Sequence, residues 1–312
     1  MDYTYNAGGQ LESVESDGTT VVSDMDYSPA GQLKEITYGN GVTTTNTFEA
    51  EDAYRLSHKV TEGIYDSTFT DTTLEDVQDL TYTYDAVGNI TDIVDASATP
   101  TAKNISYSYD DLNRLESAAT SGLSAGDYSE SYEYDSIGNM TYKSDVGDMV
   151  YGGTGSPTPH AVTEVDGVSY SYDDNGNLTS NGTNSYSWNI KNQLESSGTK
   201  TFYYDHSGSR YKTEDSSDGS TDYYIGKYEE LRGVTSTDPG TATYYVFAGG
   251  QRVAAYEDSE FTYYTQDHLG GTALATDEDG YVVQLYDYYP YGSELLDESL
   301  SDAPVDHSFT DK

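Results

Sequence analysis

A short phrase recurs along this chain and constrains its fold more than any single residue does. It reads Tyr84-Asp85-Ala86-Val87-Gly88-Asn89-Ile90, then Tyr134-Asp135-Ser136-Ile137-Gly138-Asn139-Met140, then Tyr172-Asp173-Asp174-Asn175-Gly176-Asn177-Leu178. A looser copy is Tyr109-Asp110-Asp111-Leu112-Asn113-Arg114-Leu115. Internal self-similarity of this kind means one supersecondary unit stacked many times. The last aromatic before each turn falls at Tyr5, Tyr27, Phe48, Tyr84, Tyr109, Tyr134, Tyr172, Trp188 and Tyr204, spaced 22, 21, 36, 25, 25, 38, 16 and 16 residues apart.

The phrase has a physical reading at each position. Tyr82-Thr83-Tyr84, Tyr107-Ser108-Tyr109, Tyr132-Glu133-Tyr134 and Tyr170-Ser171-Tyr172 alternate with period two, which puts both rings on one face of a strand. The second ring of each pair is expected in the core. The Asp that follows can bond its own backbone and open a turn. Gly or Asn four residues after the tyrosine supplies a positive φ. An aliphatic residue then starts the returning strand, so each unit is predicted to be a β-hairpin. The Asn or Gln before that aliphatic reads as a turn partner.

The expected fold is therefore all-β: tandem antiparallel hairpins forming a spiral or solenoid-like sheet. Three regions are expected: a hairpin array over 1–222, related repeats over 223–296 in which Tyr-Tyr pairs replace Tyr-x-Tyr, and an acidic tail over 297–312. Insertions are expected near 61–79, with one short helical turn, and near 144–164, as a loop.

Composition narrows the partners. Leu, Ile, Val and Phe make up 50 of the 312 residues, and the net charge is -41. That combination usually marks disorder. The 34 tyrosines argue the other way, because each can bury a ring while its hydroxyl finds a partner. With 55 acidic and 14 basic side chains, nucleic acid is excluded as a partner for want of a basic face. The acidity fits a salt-rich habitat or a cation-binding extracellular surface. The chain has no cysteine, hence no disulfide and no thiol chemistry. It has no apolar run long enough to span a membrane and no visible signal peptide, and it opens inside a repeat, as a mature form or fragment would.

The repeated Tyr-Asp-x-x-Gly-x-Leu unit resembles the YD or RHS repeat family, which includes bacterial RHS proteins, toxin-complex shell subunits and teneurins. The ordered ending is the more specific part: Asp267-His268-Leu269-Gly270, then Asp279-Gly280, then Tyr289-Pro290-Tyr291-Gly292. The resemblance covers about residues 3–296. It implies a segment of a hollow β-shell. Two departures stand out. Gly271-Thr272-Ala273 replaces the usual Ser-Thr-Arg, and the Tyr- and Arg-rich closing segment that carries self-cleavage in toxin members does not follow Gly292.

No constellation for catalysis is visible. Asp267 beside His268 reads as a turn. The remaining histidines, His58, His160, His206 and His307, share no metal-ligand spacing. The pairs Asp277/Asp279 and Asp215/Asp218 resemble fragments of calcium loops without the closing bidentate Glu, so at most weak divalent binding is expected and no cofactor. Asn89, Asn104, Asn139, Asn177 and Asn181 head Asn-x-Ser/Thr triplets, which would be glycosylation sites in a secreted protein.

These residues predict a non-enzymatic structural module of an extracellular or cell-surface RHS-type protein. Its partners would be copies of itself or neighbouring YD repeats, through unpaired strand edges that favour head-to-tail filaments. The alternatives are adhesion to glycans or cell-surface proteins and, second, the shell of an RHS toxin carrier.

Overall fold

The computed structural model of the chain describes residues 1–50, 53–66, 70–123 and 126–300. Every named element in it is a β-strand, and the strands form three sheets, of 15, 2 and 12 strands in chain order, whose sequence neighbours pair antiparallel. The all-β hairpin architecture anticipated from the repeats is what forms.

One hairpin explains the rest. Strands Glu75–Tyr84 and Ile90–Asp95 pair through Tyr82–Ile93 and Thr83–Asp92, then slip by one so that Tyr84 faces Ile90. Between them Gly88 N donates to Asp85 O at 3.2 Å, and Asp85 N donates to Asn89 O at 2.9 Å. Gly88 has φ 105°, the left-handed residue that ends such a turn in a bulge. The Asp85 carboxylate organises the loop. Its Oδ1 accepts from the N–H groups of Val87, Gly88 and Asn89 at 3.0, 2.7 and 2.9 Å, and its Oδ2 accepts from Asn89 Nδ2 at 2.8 Å. The turns at Asp135 and Asp173 repeat the arrangement. In the looser copy Arg114 Nε takes the asparagine's place on Asp110 Oδ2 at 2.7 Å, and Asn113 takes the glycine's place with φ 60°. The Asn177 side chain, and then its backbone N–H, hold the Asp173 carboxyl below its ordinary pKa.

The hairpins are stitched to one another by aromatic hydroxyls. Tyr84 donates to Leu56 O at 2.7 Å, Tyr109 to Ile90 O at 2.8 Å and Tyr134 to Leu115 O at 2.9 Å. Tyr151, Tyr172 and Tyr204 do the same to Met140, Val162 and Leu194. Where the sequence places Trp188, the indole N–H donates to Leu178 O at 2.7 Å. The acceptor lies at the first or second residue of the returning strand of the preceding hairpin. The depth of the rings departs from the expectation. Tyr82 and Tyr132, the first rings of their pairs, are 5% and 2% exposed, whereas Tyr84 and Tyr134 are half-buried. The second ring cannot sink further, because its hydroxyl must reach a backbone carbonyl.

Two compact units form. One comprises Met1–Tyr109, Ala118–Ser129 and the residues from Tyr245 on; the other comprises Asp110–Ser117 and Glu130–Tyr244. They cut across linear divisions at 222 and 296, because the C-terminal strands pack with the N-terminal ones. In the first unit Val14, Val22, Met25 and Ile36 share a core with Val246, Val253, Phe261 and Tyr263. Asn40 Nδ2 donates to Thr276 Oγ1 at 2.9 Å and to Asp277 O at 2.7 Å, and Ile64 bridges Tyr281. Strands Gln251–Glu257, Glu260–Gln266, Thr272–Thr276 and Val282–Tyr288 are buried along most of their length, with Arg252, Gln266 and Gln284 among the buried side chains. The second unit has a different physics. Among its described residues Tyr132 is the one apolar side chain buried below a tenth of its surface. Its cations lie on rings instead: Arg114 is 4.6 Å from Tyr134, Arg210 4.5 Å from Tyr224, and Lys212 3.7 Å from Tyr203.

The expected insertions contain strand as well as loop. Arg55–Gly63 and Glu75–Tyr84 take up both ends of 61–79 and pair with each other. No helical turn lies in that stretch among the described residues, and 67–69 fall outside them. Within 144–164, Gly147–Tyr151 pairs with Val162–Val165, leaving a shorter loop between. Of the acidic tail, residues up to Ser299 continue the last strand, Glu294–Ser299, and 301–312 lie outside the described residues.

The hydroxyl and the ring of a rung are separable. Tyr134→Phe should cost about 1 kcal/mol of unfolding free energy, the net worth of one hydrogen bond, and Tyr134→Ala about 3–5 kcal/mol, measured by urea unfolding. A second expectation concerns the units. Hydrogen exchange should find the strands between Tyr186 and Val234 opening well before those between Gln251 and Tyr288, since few buried apolar contacts oppose local opening there.

Candidate functional site

Beneath the Asp267-His268-Leu269-Gly270 turn, within the first unit, lies a cavity of about 220 Å³. The turn joins Glu260–Gln266 to Thr272–Thr276. It is built like the others: Asp267 Oδ1 accepts from Leu269 N and Gly271 N at 2.8 Å each, and Gly270 has φ 88°. Leu269 points out, 60% exposed, while His268 tilts against the Tyr82 ring at 5.2 Å. Burial holds the His268 imidazole below its ordinary pKa, against the pull of Asp267. No hydrogen bond joins the Asp267 and His268 side chains, and Asp267 spends Oδ1 on backbone. Asp267 thus shapes the turn, as its counterparts do in the other hairpins.

Further polar side chains line the cavity, Lys59, Arg252 and Gln266 among them, and sequence reading had singled out none of these three. Lys59, on strand Arg55–Gly63, is 7% exposed, Arg252 6% and Gln266 8%. Lys59 Nζ makes one hydrogen bond, to Asn46 Oδ1 at 3.4 Å. Burial pushes its pKa down to about 8, opposed only by Asp267. Gln266 Oε1 is buried with no hydrogen-bond partner. The opposite wall is apolar, with Leu33, Ile36, Phe48, Leu56 and Val253. A signal for Lys59 was present: it stands at an inward position of an alternating strand, two residues before the buried Thr61.

The other singled-out residues are dispersed. Pro290, Tyr291 and Gly292 form a turn in which Gly292 N donates to Tyr289 O at 2.8 Å, with Gly292 at φ 82°. Asp277 Oδ1 accepts from Asp279 N and Tyr281 N at 3.0 and 2.9 Å. Asp215 accepts from Ser217 Oγ and N, which lower its pKa to about 2, and Asp218 accepts from Ser220 N. Among the described residues no three His, Asp or Glu groups stand together as a metal site would need. Of the sequon asparagines, Asn139 is buried, its Nδ2 donating to Asp135 Oδ2 and Pro159 O. Asn177 Nδ2 donates to Asp173 and Asn192, and Asn89 Nδ2 to Asp85. Asn181 Oδ1 accepts from Thr183 N and Asn184 N, and Asn104 is exposed. His58 Nε2 lies 2.6 Å from Asp79, and His160 Nδ1 lies 2.8 Å from Asn139 Oδ1. His206 sits in the Asp205 turn, and His307 is outside the described residues. No described helix is long and apolar enough to cross a membrane.

The hairpin turn, the aromatic rung and the ordered ending together match one family model, the teneurin YD-shell, over residues 1–307. The chain belongs to the teneurin YD-shell family. Solved structures agree on the fold. The Tc holotoxin pore of Photorhabdus luminescens aligns over 96% of this chain and 17% of its own, at 22% identity and TM-score 0.76. A TcdB2–TccC3 structure aligns over 96% and 18%, at 21% identity and TM-score 0.74. A curated relative, the tRNA3(Ser)-specific nuclease WapA of Bacillus spizizenii, is 25% identical over 156 residues, 47% of this chain and 7% of that protein. The chain thus spans a small part of each of these proteins.

The buried ionisations give a testable pH profile. Lys59 is at about 8 when folded and near ~10.4 when unfolded. Between these values the unfolded chain binds the extra proton, so stability rises with pH. Burial raises the Tyr38 and Tyr82 hydroxyls, and Tyr263 to about 12. Above ~10 the folded chain therefore keeps protons that the unfolded one loses, and stability falls. Urea unfolding should show a climb of up to about 2 kcal/mol from pH 8 to 10 and then a decline. Lys59→Met should lose the climb and keep the decline.

Proposed function

We propose that this chain is a stretch of shell wall in a longer, secreted RHS-type protein, and that it has no catalytic role of its own. One observation carries the reading: the aromatic rung repeats from hairpin to hairpin, so each unit's function is to seat the next. The second unit supports it, since a sheet almost without a fully buried apolar core is suited to be a wall. The shell of a toxin carrier is the form of this reading that the Tc structures favour by fold. Under a secreted life Asn104, exposed beside its strand partner Val94, is the sequon most open to a glycan.

The wall also has an edge. Strand Asp2–Tyr5 is exposed throughout and, among the described residues, pairs on one side only, with Leu11–Ser16. Tyr5 stands at the rung position and is 61% exposed. Such an edge takes another YD hairpin, from the same polypeptide or from a second copy. With a net charge of -41, addition of a second copy needs screening. Negative-stain microscopy in high salt should show head-to-tail fibres that loosen on dialysis into low salt. Single particles under both conditions would assign the edge to a neighbouring hairpin of the same polypeptide.

A second reading, recognition of glycans, draws on the tyrosines that the second unit exposes: Tyr211, Tyr223, Tyr228 and Tyr244, between 38% and 54%. Saturable binding of a defined oligosaccharide on an array, lost in Tyr228→Ala, would favour it over the wall.

A further inference from the structure

Lys59, Lys103 and Lys143 are each no more than 8% exposed. Lys103 is ion-paired to Asp287, and Lys143 lies 2.7 Å from Asp145 and 3.7 Å from Glu130. Among the described residues, Lys59 alone of the three has no carboxylate within ion-pair distance, in a chain with 55 acidic side chains. A buried ammonium without a counter-charge is costly, and one long hydrogen bond to Asn46 does not offset it. The group faces a cavity. On the same cavity Gln266 presents a buried carbonyl oxygen with no donor, a second cost that a native interior normally avoids. The two deficits are complementary to one kind of molecule: one that brings a negative charge to Lys59 and a hydrogen-bond donor to Gln266.

The charge and the walls narrow the class. Lys59 and Arg252 outnumber Asp267 among the ionised groups on the cavity, and His268 is held neutral by burial. Leu33, Ile36, Phe48 and Leu56 form an apolar wall. The volume of about 220 Å³ exceeds the roughly 150 Å³ of a dry cavity known to hold benzene, so several heavy atoms fit. We propose that this cavity is a binding site for a small carboxylate with a short apolar body and one hydroxyl or amino donor. The carboxylate sits at Lys59, the donor at Gln266 Oε1 and the apolar body against the Leu33–Phe48 wall. The site does not depend on the wall reading above; it would serve a shell, an adhesin or a carrier alike.

The test uses the whole chain and 2-hydroxy-3-methylbutanoate as the probe, with the neutral alcohol of the same carbon skeleton and sulfate as controls. Isothermal titration should give saturable binding of the acid and none of the alcohol, with sulfate competing weakly. Lys59→Met should lower affinity roughly tenfold or more, as loss of a hydrogen bond to a charged group does, and Gln266→Leu by less. Bound probe should raise the unfolding temperature of the wild type and show magnetisation transfer to the methyls of Leu33 and Leu56, a readout on the unmutated protein that stands if a variant misfolds. Lack of saturable binding, equal binding by wild type and a folded Lys59→Met, contacts mapped elsewhere, or sulfate binding as tightly as the acid would each overturn the proposal.

Discussion

The structure depends on a hydrogen bond from an aromatic side chain to a backbone carbonyl of the hairpin before it. In an ordinary sheet, backbone ladders hold neighbouring strands, and side chains add packing. Here the bulge at each turn takes one carbonyl out of the regular register, and the next unit's tyrosine hydroxyl fills that acceptor at 2.7 to 2.9 Å. The rung settles a backbone group that would otherwise be short of a partner, and it does so with a ring that also covers the strand beneath. Trp188 meets the same need with a different donor, so the requirement is for a flat apolar body ending in a hydrogen-bond donor. Phe48 has the body without the donor, and it pairs with Leu56 across a longer loop than the common turn; Tyr27 makes no such rung, its hydroxyl lying 3.8 Å from Met25 Sδ.

That bond explains how a chain of such composition stays folded. Each rung and each Asp-centred turn is worth little net, about 1 kcal/mol, but both recur along the chain and neither needs a deep core. Where depth is available, the chain uses it: the C-terminal strands of the first unit are buried on both faces and bring Val, Ala, Tyr and Leu together. Where it is not, the few cations are spent on aromatic faces. Arg210 lies between Phe202 and Tyr224 at 5.7 and 4.5 Å, so that ring edges and charge shield each other from water. Arg114 and Lys212 combine such ring contacts with ion pairs to Asp110 and Glu214.

The sequence disclosed what is local and concealed what is not. Asp85, Gly88 and Asn89 are legible because their chemistry closes within five residues, and the turn leaves no alternative for them. The aromatic at each rung was legible as a strand residue, but its acceptor was not, since that carbonyl lies 10 to 28 residues upstream. The compact units were hidden for the same reason. Nothing near Val253 or Phe261 announces contact with Val14 or Met25, and a division drawn along the chain could not anticipate it. The stretch near 61–79 reads as an insertion because its acidic residues resemble a loop, whereas Asp76 and Asp79 lie in a strand and pair with Glu62 and Val60.

Lys59 shows the same limit at a single residue. In sequence it is one more charge on a polar strand, between His58 and Val60. Only the pairing of its strand with the two flanking ones, and the closure of the Asp267 turn over it, turns an ordinary lysine into an enclosed cation. The free energy of that enclosure is not recovered by any carboxylate, although the chain supplies one to Lys103 and to Lys143 under similar burial. A purely structural interior would gain from an apolar residue at this position. The chain keeps an ammonium there, on one cavity with an unsatisfied glutamine carbonyl and an apolar wall, and places in folded proteins where the consistency of turn, rung and core gives way are where binding is to be sought.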